Sequence, residues 1–397
     1  MRGGDTSGLR AYNERLIISA IRAGGAMSKA EIARATGLSV QAARVIVDAL
    51  IDGETLLKLP KIRGLVGQPS TPIALNPAGA YSVGVKIGRR SLEVVLVDMM
   101  GDVVRKARMR QSVPLPAQTL QAVCAMVQGL LADAPRGARD RVVGLGIAMP
   151  GDLHEWPAQM GVGAGALAEW KGLDPARALQ EATGIPARVI NDATAACAAE
   201  MIVGDAMSAR DALYIYVGAF VGGGVVLDGR LMRGAQMNAG ALGSMPMAAQ
   251  DAQGYPAQLI HLASAIELER MLEDAGLGGE GRLSAGPTPA RDAVFDAWAV
   301  IAAPALARAA VAAMAVFDFE AVVIDGVIGP VWRARLARLM AAEMTRFNHA
   351  GLSRATVAPG SIGPAARVLG AALLPLMERF CPDPDLIAAA RRPPTAR

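Results

Sequence analysis

Residues 82–98 read Ser82-Val83-Gly84-Val85-Lys86-Ile87-Gly88-Arg89-Arg90-Ser91-Leu92-Glu93-Val94-Val95-Leu96-Val97-Asp98. Two apolar runs rich in valine flank a short turn, which predicts a pair of buried strands. Beyond them the pattern alternates. Thr119–Leu131 reads as a helix, Val142–Gly151 as a strand with its loop and Ala187–Asp192 as another strand. Strands alternating with helices place a sheet between helical layers, so the body is an α/β domain.

The segment before this body has different punctuation. Asn13–Arg22 puts Leu16, Ile17, Ala20 and Ile21 on one helical face, and Gly24-Gly25 ends it. Ser28-Lys29-Ala30-Glu31 is a capping box that fixes a second helix start. That helix stops at Thr36-Gly37-Leu38, where glycine can take the left-handed conformation of a sharp turn. Ser39 then caps a third helix, Val40–Ile51, with Val45, Ile46, Ala49 and Leu50 expected inside. Glu54–Leu59 and Pro72–Leu75 read as short strands around Lys61–Pro69, which completes a winged helix-turn-helix over residues 1–76.

On such a module Ser39, Gln41, Ala42 and Arg44 are candidates to meet bases and phosphates, with Lys61, Arg63 and Gln68 reaching from the wing. Glutamine pairs two-pronged with adenine, arginine with guanine or a phosphate, and alanine touches a thymine methyl. The alternative is a three-helix scaffold that binds protein or nothing. Charge placement bears on the choice. Residues 1–76 hold ten Lys or Arg against six acids, so the whole formal excess of +4 sits there. A basic module on a neutral body points to double-stranded DNA as its partner.

Composition sets the remaining bounds. The 397 residues are 52% hydrophobic and 19% charged, enough for at least two ordinary cores and too apolar for extensive disorder. Cys124, Cys197 and Cys381 lack CxxC spacing, and Met1–Arg10 lacks the apolar run of a signal peptide, so a cytoplasmic protein is expected. The longest apolar stretch, Ala299–Phe317, contains Pro304 and Arg308 and is rich in alanine. It predicts a buried or interface helix in preference to a membrane span.

Five stretches in order carry a resemblance: residues 82–104, Gly144–Leu153, Asn191–Glu200, Tyr216–Met247 and Ser361–Leu376. They resemble the landmarks of the ROK family, which contains bacterial sugar kinases and sugar-responsive repressors, only the latter with an N-terminal winged helix. The resemblance implies a two-lobed actin-like (ribonuclease H-like) domain over residues 77–397. Lobe I would span about 77–190 plus 365–385 and lobe II about 191–364, with the kinases' sugar and ATP cleft between them. It also implies a homodimer or homotetramer, which suits paired half-sites.

Against the kinase pattern this sequence departs repeatedly. The family's DxGGT hairpin becomes Lys86-Ile87-Gly88-Arg89-Arg90, so a cation replaces the acid that helps position magnesium. Either the three cations bind an anion or the hairpin is a surface turn rich in arginine. The GTGIGGG loop becomes Gly218-Ala219-Phe220-Val221-Gly222-Gly223-Gly224, whose late glycines are expected to keep a turn, and a later glycine cluster shrinks to Ile324-Asp325-Gly326-Val327. Asn191-Asp192 survives, either as a retained ligand contact or as a helix cap. Polar groups that fix the sugar fall at Ala166, Ala241, Ser244 and Ile260, with Trp170 kept. The zinc motif falls at Asp251–Gln258, which has no cysteine, so neither metal nor cofactor is expected.

The expected function is therefore a transcriptional regulator, a repressor of carbohydrate-related genes and not an enzyme. A small-molecule effector, a sugar or derivative, would meet Gly151, Asn191, Asp192, Ala241 and Ser244. The competing readings are an active ATP-dependent sugar kinase and a ligand-independent dimeric repressor.

Overall fold

The computed structural model describes residues 6–61, 71–151, 153–155, 162–163, 165–250, 254–279 and 281–383. Its first helix, α1 (Thr6–Gly24), is longer at both ends than the apolar pattern predicts. It packs with α2 (Lys29–Thr36) and α3 (Val40–Asp52) around Ile17, Ile21, Ile32, Ile46 and Val47, all buried. Strands β1 (Leu56–Lys58) and β2 (Ile73–Leu75) follow as an antiparallel pair with Leu56 opposite Leu75.

By internal contacts the chain divides into two units, one running to Ile190 and resuming at Ala371, the other from Asn191 to Gly370. In the first unit β3 (Tyr81–Ile87), β4 (Ser91–Asp98) and β5 (Val103–Arg110) run antiparallel. Helix α4 (Pro116–Ala132) then leads to β6 (Val142–Met149), parallel to β3, and α5 (Pro175–Thr183) to β7 (Ala187–Asn191). The sheet order is β5-β4-β3-β6-β7. Residues of β3 are buried throughout, with Tyr81, Val83, Val85 and Ile87 on one face and Ser82, Gly84 and Lys86 on the other.

The helical head belongs to this same unit and is fastened by polar contacts. Arg22 of α1 donates to the Met99 carbonyl at 2.9 Å, and Met99 N–H donates to the Pro77 carbonyl at 3.1 Å. Asn76 donates from its side chain to the Glu54 carbonyl at 2.6 Å. Arg141 donates to the Ala78 carbonyl and pairs with the Glu54 carboxylate.

The second unit opens with α6 (Asp192–Val203) and repeats the strand order. Antiparallel β8 (Ala212–Val217), β9 (Val221–Leu227) and β10 (Arg230–Met232) are followed by a small pair, β11 (Pro246–Gln250) and β12 (Pro256–Gln258). Then come α7 (Leu259–Ala263), α8 (Ala265–Asp274), α9 (Pro289–Met314), β13 (Ala321–Gly326), α10 (Pro330–Met344), β14 (Thr356–Pro359) and α11 (Ala366–Phe380). The sheet runs β10-β9-β8-β13-β14, with β13 parallel to both β8 and β14. Three antiparallel strands followed by two reached through helices is the order of the first sheet as well.

Helix α9, the long apolar helix, is packed inside its unit: 67% of its most apolar window is buried. Phe295 stacks on Trp332 of α10 with ring centroids 5.0 Å apart, and Trp332 Nε1 donates to Asp292 at 2.7 Å.

Two devices hold the second sheet. The glycines of β9 do not make a turn, as the sequence led us to expect, but allow close packing within the strand. A Cβ on Gly224 would lie 2.5 Å from Cys197 Cβ of α6, and one on Gly223 2.5 Å from Leu242 on the opposite face. Under β13, the fully buried Asp325 receives Arg333 Nη1 at 2.7 Å, the Tyr214 hydroxyl at 2.9 Å and Gly363 N–H at 3.1 Å. Burial first, and then the charge of Asp325, push the Tyr214 phenol well above its ordinary range, so it stays a donor.

Gly224→Val is expected to destabilise the chain by about 3 kcal/mol or prevent folding, because backbone-backed α6 cannot yield. Asp325→Ala leaves Arg333 charged and buried and is expected to cost about 3–5 kcal/mol. The double variant Asp325→Leu with Arg333→Met should recover much of that loss. Denaturant midpoints of the purified variants check both.

Candidate functional site

The cap chemistry positions the face of α3. Ser28 N–H donates to Glu31 Oε2 at 2.8 Å and Glu31 N–H returns to Ser28 Oγ at 3.3 Å, as the capping box requires. The Ser28 hydroxyl first and its N–H second hold the Glu31 carboxyl below its ordinary range. Gly37 takes φ +69°, a left-handed conformation, and turns the chain from α2 into α3. Ser39 Oγ accepts from Ala42 N–H at 3.2 Å, so the group it offers outward is its hydroxyl proton.

Gln41 and Arg44 are exposed, and Ala42 is half-buried. Val45 does not face inward as expected. It is 57% exposed, because the buried face runs through Ala43, Ile46 and Val47, and Val40 beside the cap is 65% exposed. Lys29 of α2 bonds to Asp48 of α3, and Arg44 Nε lies 3.9 Å from the same carboxylate. The Lys29 hydrogen bond holds Asp48 below its ordinary range. Lys61 is exposed just past β1, while Arg63 and Gln68 lie outside the described residues.

The β3–β4 hairpin corrects one expectation. Lys86 is not on a surface turn: it is 6% exposed and donates to Glu93 Oε1 at 2.7 Å and to Ser91 Oγ at 3.1 Å. The register explains it, since Lys86 stands directly across from Glu93. The cation in the place of the family's acid is thus met by a carboxylate of its own hairpin, and it is Glu93 that the sequence reading missed. Gln111 closes the turn by donating to the Gly88 carbonyl at 2.6 Å. In the same unit, Trp170 is buried and donates to the Pro114 carbonyl at 2.7 Å, and Ala166 is half-buried. Gly151 is exposed just past β6.

In the second unit Asn191 is the N-cap of α6, its side-chain oxygen accepting from Ala193 and Thr194 N–H at 3.0 and 3.2 Å. Asp192 receives Arg367 Nη1 at 3.0 Å, and the guanidinium lies 5.0 Å from the Tyr216 ring centre. Arg367 thus already occupies Oδ2 of this carboxylate. Arg367 was invisible in sequence because it lies 175 residues away.

Ala241 and Ser244 are exposed and joined by a Ser244 N–H to Ala241 carbonyl bond of 3.1 Å. The alternation along β9 puts α6 on one face and the Leu242 turn on the other, so Asn191 and Asp192 stand across the strand from Ala241 and Ser244. Ile260 is buried against Gly243. Residues 254–258, in the place of the family's zinc loop, offer no thiol or imidazole, and a zinc ion does not fit them. Among the described residues no group of three His, Cys, Asp or Glu is placed to hold a metal.

The ROK family pattern matches residues 82–378. An uncharacterized protein of Sinorhizobium fredii, y4fQ, is 27% identical over 380 residues, covering 93% of this chain and 92% of that protein. The xylose repressor of Bacillus subtilis is 22% identical over 241 residues, 61% of this chain and 62% of its own length. Among solved structures, a ROK family transcriptional regulator described as a homolog of the E. coli MLC protein superposes with a TM-score of 0.67 at 20% identity. It covers 96% of this chain and 98% of its own. Sugar kinases of the same family also match, over about three quarters of the chain, so both branches share this fold. The actin-like α/β body, the matched pattern over residues 82–378 and these relatives agree: the chain belongs to the ROK family.

Proposed function

We propose that the chain is a cytoplasmic, DNA-binding transcriptional repressor of carbohydrate-related genes, whose kinase-like body senses a sugar or sugar derivative and does not catalyse. The observation that carries the proposal is the capped helix–turn–helix with the first turns of α3 exposed, on a body whose acidic positions are held by cations. Gln41 and Arg44 offer two-pronged recognition of bases or phosphates. The exposed Val40 and Val45 supply the apolar contact to a thymine methyl better than the half-buried Ala42. Strands β1 and β2 make the base of a wing, with Lys61 at its root, and Arg63 and Gln68 are proposed to extend it.

Phosphoryl transfer needs an acid near magnesium and a free base for the attacking hydroxyl. Here Lys86 with Glu93 occupies the first position and Arg367 holds Asp192 at the second. The xylose repressor's name points to a pentose as effector for that protein; for this chain Gly151, Asn191, Asp192, Ala241 and Ser244 are the residues proposed to face a ligand. Ala241 and Ile260, where hydroxyl clamps would stand, favour a less polar or derivatised compound over a plain hexose. A homodimer or homotetramer would present two heads to paired half-sites.

Selection from a random-sequence DNA pool should yield a preferred duplex bound more tightly than random duplex at physiological salt. Failure to prefer any sequence refutes the DNA-binding assignment. On that duplex Gln41→Ala should cost about 1–3 kcal/mol and relax one base position, whereas Lys61→Gln should weaken all duplexes alike. A coupled assay across hexoses and pentoses should give no sugar-dependent ATP consumption. Turnover abolished by Asp192→Asn would make the protein a kinase.

A further inference from the structure

In the second unit α9 and α10 lie side by side and run in the same direction, for Asp292 meets Trp332, Asp296 meets Arg335 and Arg308 meets Phe347. The outer side of this pair is apolar where water reaches it. One turn on from Asp296 and Arg335 stand Val300, 74% exposed, and Leu339, 37% exposed, with Ile301 beside them at 58%. Ala293 and Ala297 continue the stripe along α9 and are exposed, and Pro304 sits half-buried one turn beyond Val300. A charge closes the stripe on either side of this apolar centre. Asp296 accepts from Arg335 at 2.7 Å on Oδ2, which leaves Oδ1 for a second donor. About 18 Å further along the helix Arg308 is exposed, its guanidinium 5.6 Å from the Phe347 ring centre, with no carboxylate partner among the described residues.

We infer that this face of α9 and α10 pairs with the same face of a second copy of the chain, about a two-fold axis midway between Asp296 and Arg308. The inference deepens the function proposed above, which calls for two heads on paired half-sites, by naming the surface that joins the copies. A two-fold operation exchanges the two ends of the face, so Arg308 of each copy meets Asp296 of the other. Both charges lie about 9 Å from the axis, and the two cross-copy bridges therefore form together. The axis passes between Val300 and Pro304, which sets Val300 of each copy against Pro304 of the other and removes both from water. Pairing in the same sense would set Arg308 against Arg308 and Asp296 against Asp296, and like charges reject it. An apolar centre with charges at its rim is the composition of a specific protein interface, and Arg338, exposed on the outer side of α10, belongs to that rim. The face is also rigid before it binds. Phe295, Trp298 and Leu306 anchor the opposite side of α9 in the core, so little ordering is needed on association.

The test is the mass of the full chain in solution, measured by light scattering on a sizing column, with the fold of each variant checked by circular dichroism. Asp296→Arg alone sets cation against cation at both bridges, and Arg308→Asp alone sets acid against acid. Each should halve the mass of the wild-type assembly. Mixed in equal amounts, the two variants should recombine at the wild-type mass, because every cross-copy pair is again of opposite sign. A variant damaged in its own fold cannot give that rescue. Val300→Lys should halve the mass and stay apart in a mixture with either swap. Wild type that is monomeric throughout the micromolar range overturns the inference. So do swaps that keep the wild-type mass, and swaps that fall apart and do not recombine. None of these readings involves DNA, so a chain that pairs as stated yet prefers no duplex refutes the function proposed above and leaves the face standing.

Discussion

A carboxylate or ammonium taken out of water is costly unless an opposite charge or several hydrogen bonds meet it, and three ion pairs among the described residues bear on what this fold can do. Lys86 faces Glu93, Asp192 faces Arg367, and Asp325 faces Arg333. The third pair is structural, binding β13 to α10 and to the turn at Gly363. The first two occupy positions that the family's kinases use for chemistry. Each of these pairs is made by residues from within one unit.

The two sheets share a strand order, yet they are put to different uses. The first carries the head on one side of its β4–β5 turn and a basic strand beyond it. The second is packed tightly by glycine against α6 and the Leu242 turn, and it bears the surviving Asn191-Asp192 pair. In β9 the glycines that resemble a phosphate loop are explained by packing alone.

What could be read in the sequence was what is local. The Ser28–Glu31 box, the Ser39 cap and the left-handed Gly37 act within four residues, and each is found where the pattern put it. The alternation of strands and helices was legible for the same reason. Val45 was misplaced because a helical face was drawn one position off, and Ala43 and Val47 take the inward places. Lys86 was read as exposed because its partner becomes visible only when the hairpin register is fixed. Arg367 carries no local signal at all. Its meaning comes from a fold that returns α11 to the start of α6 after most of the second unit has been built.

The stitching between head and first sheet has a consequence for how operators are chosen. Arg22 of α1 bonds to the Met99 carbonyl, Asn76 to the Glu54 carbonyl, and Arg141 to both the Ala78 carbonyl and the Glu54 carboxylate, so the head has no loose tether on which to pivot. A protein built this way cannot accommodate half-sites of arbitrary separation by stretching a linker. In any assembly of such chains the body acts as a ruler, and insertions of a few base pairs between the halves of a cognate site become as damaging as changes to the bases themselves.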